Sequence, residues 1–142
     1  MTTFYVSPSS LTYKQYHSVI KVCLSFGWCP KYIWPRESFY PDSIIKQQIL
    51  KKAVKGIGNA DIFIAYVPGN CSTFLEIGLA YNLCEEVFLF ARDQVYFTQT
   101  GLADAHIATL PDIKRVCCDI DEIPVMLEQE YSYLIDISKH LP

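Results

Sequence analysis

Residues 60–90, ADIFIAYVPGNCSTFLEIGLAYNLCEEVFLF, contain two short apolar runs separated by a turn and a longer apolar segment. The runs at residues 61–67 and 86–91 show no polar alternation, which is typical of parallel strands that are covered on both faces. The turn PGNCS introduces a helix between them. The stretch therefore predicts a strand–helix–strand unit, with both strands inside a parallel sheet.

Further strands are predicted on both sides of this unit. Their sequences are TFYVS at residues 3–7, KYIW at 31–34 and KRVCCDI at 114–120. Together the elements predict a single flavodoxin-like (Rossmann-like) α/β domain over residues 1–142, with helices on both faces of a five-stranded parallel sheet. Right-handed crossovers favour the strand order 2-1-3-4-5.

Helices are predicted where apolar residues recur at helical spacing. The segments are residues 13–26, 44–57 and 103–110, together with the chain after Asp121. Gly27 is expected to end the first helix. Asp42 or Ser43 is expected to cap the second helix, and Asp121 the last one.

The composition disfavours several classes of function. The 142 residues include 51% hydrophobic and 19% charged side chains and have a net charge of -3. No basic stripe is present to neutralise a nucleic acid polymer. The sequence has no apolar stretch long enough to span a bilayer, and its start lacks the features of a signal peptide. These features predict a soluble, cytoplasmic protein without a membrane partner.

Six cysteines show no C-x-x-C spacing and no nearby histidine, so neither a metal site nor a disulfide is expected. Cys23, Cys84 and Cys117 fall in apolar runs, which predicts small buried side chains. Cys71 lies in a predicted loop, where a reactive thiol is the alternative.

The carboxylate of Glu76 lies in the middle of the apolar segment NCSTFLEIGLAYNL, residues 70–83. Burying an unpaired carboxylate costs several kcal/mol unless something compensates it. One interpretation is that Glu76 pairs with a lysine or caps a backbone donor. The other is that it lies in a half-buried cleft as a nucleophile or base. Ligands bind where the strand order reverses, and the loops SPSSLT and PGNCST meet at that edge.

The stretch at residues 60–90 resembles the core of the nucleoside 2-deoxyribosyltransferases and the related 2′-deoxynucleoside 5′-phosphate N-hydrolases. These proteins have an Ala-Asp-hydrophobic strand, a loop, and a Glu-x-Gly-x-Ala helix, which Glu76, Gly78 and Ala80 match. FYVSPSS at residues 4–10 is similar to the opening of the N-hydrolases, where a Tyr precedes a phosphate-binding Ser by four residues. Tyr5 and Ser9 match those two positions.

The resemblance implies cleavage, by hydrolysis or transfer, of the N-glycosidic bond of a nucleoside or nucleoside 5′-phosphate. Glu76 is implied as the nucleophile and Tyr5 as the second catalytic residue, without a metal or cofactor. The loops supply the predicted ligand-binding residues: Ser7, Ser9, Ser10, Gly69, Asn70 and Ser72. A homodimer or higher homo-oligomer is also implied, because a neighbouring subunit completes the site in this family.

Two positions depart from the family pattern. Asn70 stands where the transferases have Asp and the N-hydrolases Ser. The Asp that protonates the leaving base in the family corresponds to Ala53, or to Lys52 in another alignment. A non-catalytic nucleotide-binding or sequestering module therefore stays open as an alternative, as does a TIR-like NAD-cleaving domain. Aromatic residues around the second strand, Trp28, Tyr32, Trp34 and Phe39, are candidates for base stacking or for core packing.

Overall fold

The computed structural model describes residues 1–39, 46–98 and 109–139. Its sheet has five parallel strands in the order β2-β1-β3-β4-β5. Their bounds are β1 Thr3–Val6, β2 Cys29–Pro30, β3 Ile62–Val67, β4 Glu86–Ala91 and β5 Ile113–Cys117. The predicted fold class and strand order are confirmed, and β3 and β4 are inner strands as predicted.

The helices of the described residues alternate with the strands along the chain. Their bounds are α1 Tyr13–Ser25, α2 Lys46–Gly58, α3 Cys71–Leu83, α4 Val95–Thr98 and α5 Ile123–Lys139. Short 3-10 turns lie at Arg36–Phe39 and Ile120–Glu122. Within residues 1–39, 46–98 and 109–139, no helix combines the length and the apolar character needed to cross a membrane.

Side-chain alternation along the strands divides the core into two layers. Phe4 and Val6 point to one face, where they belong to a cluster with residues of α1 and α5. Tyr5 points to the other face, into a cluster with residues of α2 and α3. Ser7 comes directly after β1, two residues beyond Tyr5 and on the same face, and it is also buried. Strand β1 therefore directs Tyr5 and Ser7 toward the helix that contains Glu76.

The second strand is shorter than predicted and lies earlier in the chain. Strand β2 is Cys29–Pro30, whereas residues 31–34 were expected to form it. The backbone N–H of Lys31 still donates to Phe4, but that of Trp34 donates to the hydroxyl of Tyr16 on α1. The chain leaves the sheet because this side-chain acceptor replaces a strand partner.

The start of the last helix also differs from the prediction. A 3-10 turn at Ile120–Glu122 leads into α5, and Asp119 rather than Asp121 precedes that turn. The backbone N–H of Asp119 donates to Glu122 Oε1 at 2.9 Å, as in a capping box. Asp121 instead accepts a hydrogen bond from Gln15 at 3.2 Å. The predicted caps at Asp42 or Ser43, and most of the predicted helix at residues 103–110, lie outside the described residues.

The six cysteines are free thiols. Cys23 is buried and Cys84 half-buried, whereas Cys117 is exposed, so its predicted burial is wrong. Cys117 is the last residue of β5, which lies at the edge of the sheet, and it is the adjacent Cys118 that turns inward. Cys71 is exposed at the start of α3.

Candidate active site

The start of α3 places Glu76 at the carboxyl edge of the sheet. Asn70 caps this helix, with its side-chain oxygen accepting from the Thr73 N–H at 3.2 Å. Glu76 follows in the second turn, beside the buried stripe of Thr73, Ile77 and Ala80. Because helical side chains lean toward the N-terminus, the carboxylate points back toward the loop at the strand ends.

Gly69 allows the loop before α3 to approach that helix closely. A Cβ at position 69 would clash with the side chain of Thr73, which is buried. A side chain at position 69 would therefore displace the first turn of α3. Gly69 and Asn70 therefore shape the start of α3, independently of any contact with a ligand.

Replacing Asn70 by Ala is expected to lower the free energy of unfolding by about 1 kcal/mol, because the Thr73 N–H loses its cap. Asn70→Asp retains an acceptor oxygen and is the matched control, expected to remain close to wild-type stability. Urea unfolding of the three proteins provides the measurement. Equal stability of Asn70→Ala and wild type would show that the cap contributes nothing.

A cleft of about 350 Å³ opens beside Glu76. Its lining combines a few polar residues with more numerous apolar ones. The polar residues are Ser9, Ser38, Asn70, Ser72 and Glu76, and the apolar ones are Pro8, Leu11, Trp34, Phe39, Ile49 and Leu50. A volume of this size is at the lower end of small-molecule sites, which are usually lined by apolar side chains with a few polar groups.

Glu76 is the ionisable residue among those that line the cleft in the described part of the chain. Burial raises the pKa of its carboxyl group to about 7, and the hydroxyls of Tyr5 and Ser7 oppose this rise. In the described residues, neither Glu76 Oε2 nor Ser7 Oγ has a partner that meets both the distance and the angle of a hydrogen bond. The ion pairs of the described residues do not involve Glu76, so pairing with a lysine is not seen there.

The predicted site residues fall into two groups around this carboxylate. Ser9, Asn70 and Ser72 line the cleft together with Glu76. Tyr5 and Ser7 are buried, at 0% and 2% exposure, so they lie behind Glu76 rather than at the cleft surface. The ring of Tyr5 stacks on Phe63 inside the core.

Ser10 links the two loops of the predicted site. Its hydroxyl donates to the carbonyl oxygen of Pro68 at 3.2 Å, which holds the loop after β1 against the loop after β3. Pro68 follows a cis peptide bond. The structure therefore gives Ser10 a contact that fixes the relative position of the loops.

Helix α2 presents an apolar surface to the cleft. Its lining residues are Ile49 and Leu50, while Ala53 is buried and Lys52 is exposed. Neither of the two positions that correspond to the Asp of the resembled family supplies a carboxylic acid. In the described part of the chain, the cleft therefore holds no second carboxyl group that could protonate a leaving base.

The aromatic cluster noted in the sequence separates in the structure. Trp34 and Phe39 line the cleft, whereas Trp28 packs edge-on against Phe26 and Tyr131 in the α1/α5 layer. Trp34 also donates its indole N–H to the Tyr5 hydroxyl at 2.9 Å. Sequence alone indicated aromatic candidates here but gave no signal for this contact, which joins residues 29 positions apart.

Solved structures share this architecture. A CMP N-glycosidase from Clostridium botulinum is 17% identical with a TM-score of 0.60, over 89% of this chain and 99% of the other. A 2-deoxyribosyltransferase from Leishmania mexicana is also 17% identical with a TM-score of 0.57, over 99% of this chain and 100% of the other. A conserved protein from Enterococcus faecalis V583 is 13% identical with a TM-score of 0.55, over 92% of this chain and 99% of the other.

No protein-family model matches the chain, and no curated protein sequence matches it. At 13% to 17% identity, the likeness to solved structures establishes a common fold. Function has to be argued from the residues at the cleft, since one fold hosts many activities.

Proposed function

We propose that this protein cleaves the N-glycosidic bond of a nucleoside or nucleoside 5′-phosphate, with Glu76 as the nucleophile. The observation behind the proposal is the Glu76 carboxylate, which lines a cleft at the carboxyl edge of the sheet, where strand order reverses. The common fold with a CMP N-glycosidase and a 2-deoxyribosyltransferase supports the same reaction class.

In the proposed reaction, a carboxylate oxygen of Glu76 attacks the anomeric carbon of the sugar. The bond from this carbon to the base nitrogen breaks, and the base leaves with the electron pair and takes up a proton from solvent water. A water molecule, or a second base in a transfer reaction, then attacks the same carbon and gives up a proton to solvent, and the bond from the sugar to Glu76 breaks to restore the carboxylate. This double displacement is the route of retaining glycosidases, and it needs no cofactor.

The lining of the cleft suits both parts of such a substrate. The aromatic rings of Trp34 and Phe39 offer a surface on which a base stacks. Ser9 and Ser72 also line the cleft, and Ser72 lies in the first turn of α3. A helix N-terminus attracts anions, so a sugar and its 5′-phosphate fit beside these serines.

Two alternatives follow from the apolar surface that α2 presents to the cleft. Without an acid to protonate the base, the site would bind a nucleotide and leave it intact. NAD cleavage is the other alternative, because cationic nicotinamide leaves as a neutral molecule and needs no proton.

Incubation with a panel of ribonucleosides, deoxynucleosides, their 5′-phosphates and NAD, followed by chromatography for free base, separates these functions. We expect free base from a nucleoside or nucleotide. Release of nicotinamide alone would support the NAD-cleaving alternative. Retention of an intact ligand with no free base would establish a binding module.

We also propose that the protein forms a homo-oligomer through the outer face of α3. Leu75, Leu79 and Leu83 form a stripe on this helix, and these residues are 71%, 38% and 55% exposed. Replacing Leu75 by Lys is expected to shift the protein to monomer in light scattering, because a charge in an apolar interface is costly. Val125→Lys is the control on α5, where Val125 is 52% exposed. A wild-type protein that is already monomeric would contradict the proposal.

A further inference from the structure

Trp34 is held by two buried tyrosine hydroxyls from different layers of the fold. Its backbone N–H donates to Tyr16 on α1, and its indole N–H donates to Tyr5 on β1, each at 2.9 Å. Tyr16 and Tyr5 are 1% and 0% exposed. Each hydrogen bond therefore has a buried acceptor, and together the two bonds fix the position and the ring orientation of Trp34.

The donor and acceptor chemistry of these groups sets the direction of the hydrogen bonds. An indole N–H only donates, so the Tyr5 oxygen must accept from Trp34. Burial and the nearby Glu76 carboxylate both raise the pKa of Tyr5, which therefore retains its proton at neutral pH. With its oxygen engaged by Trp34, Tyr5 directs its proton toward the other polar group that it faces, Glu76.

We infer that Trp34 is a positioning residue, whose indole N–H orients the Tyr5 hydroxyl so that Tyr5 donates to the Glu76 carboxylate. The inference rests on the proposed function for its catalytic meaning, since the carboxylate is the proposed nucleophile. Its structural content is independent of that function, because Trp34 donates to Tyr5, and Tyr5 lies near the Glu76 carboxylate, without a substrate.

The orientation of Tyr5 has a consequence for the ionisation of Glu76. A hydrogen bond from a hydroxyl to a carboxylate favours the charged form and lowers its pKa. The Tyr5 hydroxyl acts in this direction, against the larger effect of burial. Loss of the Trp34 indole N–H leaves the Tyr5 hydroxyl free to rotate, so Glu76 is expected to titrate at a higher pH.

The test is a 13C NMR titration of the Glu76 carboxyl group in the protein without substrate. Trp34→Phe retains an aromatic ring and removes the indole N–H. We expect this variant to raise the Glu76 midpoint by about half a unit to one unit, the scale of one hydrogen bond to a charged group. Trp28→Phe is the control, since Trp28 packs in the α1/α5 layer.

A double-variant comparison tests whether the effect passes through Tyr5. Tyr5→Phe is expected to raise the midpoint at least as much as Trp34→Phe, and Trp34→Phe is expected to add nothing in the Tyr5→Phe background. If Trp34→Phe does not fold, benzothienylalanine at position 34 removes the N–H and keeps the shape of the ring. An unchanged midpoint on loss of the N–H, or an equal shift in the Tyr5→Phe background, would overturn the inference.

The same variants separate this inference from the proposed function. If no nucleoside or nucleotide releases a base but the midpoint shifts as expected, Trp34 still orients Tyr5 and the proposed function fails. If base is released but the midpoint does not respond, the proposed function stands and the role of Trp34 fails. In an active protein, the acid limb of kcat/KM is expected to move with the midpoint.

Discussion

Replacing Glu76 by Gln is expected to lower kcat for base release by about a thousandfold or more, equivalent to roughly 4 kcal/mol of barrier. The amide has nearly the same shape but lacks the negative charge that attacks the anomeric carbon. KM is expected to change far less, because Ser9, Ser72 and the aromatic side chains remain in the cleft. Steady-state kinetics on the best substrate of the panel gives both parameters.

Glu85→Gln is the matched control for this prediction. Glu85 is exposed and lies between α3 and β4, at the opposite end of the helix from its capped N-terminus. The same change of charge there is expected to leave kcat near the wild-type value. Comparable activity of Glu76→Gln and wild type would mean that Glu76 does not act as the nucleophile.

The stability of the wild-type protein is expected to contain a component that falls as pH rises from about 4.5 to 7. Burial raises the pKa of Glu76 from 4.5 to about 7 in the folded protein. Between these values the folded protein binds a proton that the unfolded chain has already released, so rising pH favours unfolding. The full shift corresponds to at most about 3.5 kcal/mol, since one pKa unit is about 1.4 kcal/mol.

Glu76→Gln isolates this component because it removes the titrating group. We expect the variant to gain stability relative to wild type as pH rises from 5 to 8, by up to about 3 kcal/mol. Denaturant unfolding at several pH values measures the difference between the two proteins, in which all other titrating groups cancel. A difference that stays constant with pH would show that the carboxyl group titrates normally.

The inner strands could be predicted from sequence because the information lies within each segment. Residues 61–67 and 86–91 are largely apolar without alternation, which is typical of strands covered on both faces. The predicted position of the second strand is wrong because the end of this strand depends on a side chain that is distant in sequence. The backbone N–H of Trp34 donates to the Tyr16 hydroxyl, 18 positions away in sequence, and no local pattern indicates such a contact.

The candidate site likewise combines features that the sequence indicates with features that depend on distant contacts. Glu76 could be singled out because a lone charge in an apolar helix is visible in the sequence itself. Ser9, Asn70 and Ser72 were placed near it by the topology of a parallel sheet, and the structure finds all three at the cleft. Tyr5 is buried behind Glu76 and accepts a hydrogen bond from Trp34. Both features depend on side-chain packing, which the sequence pattern does not indicate.

The most direct test of the central claim is to trap the sugar on Glu76. A substrate with fluorine at the 2′ position slows both displacement steps, because the electron-withdrawing group disfavours the oxocarbenium-like transition state. Intact mass spectrometry followed by peptide mapping is expected to find one added sugar on Glu76, with one equivalent of base released. Base release with the sugar on another residue, or no adduct and no base from any substrate in the panel, would contradict the account.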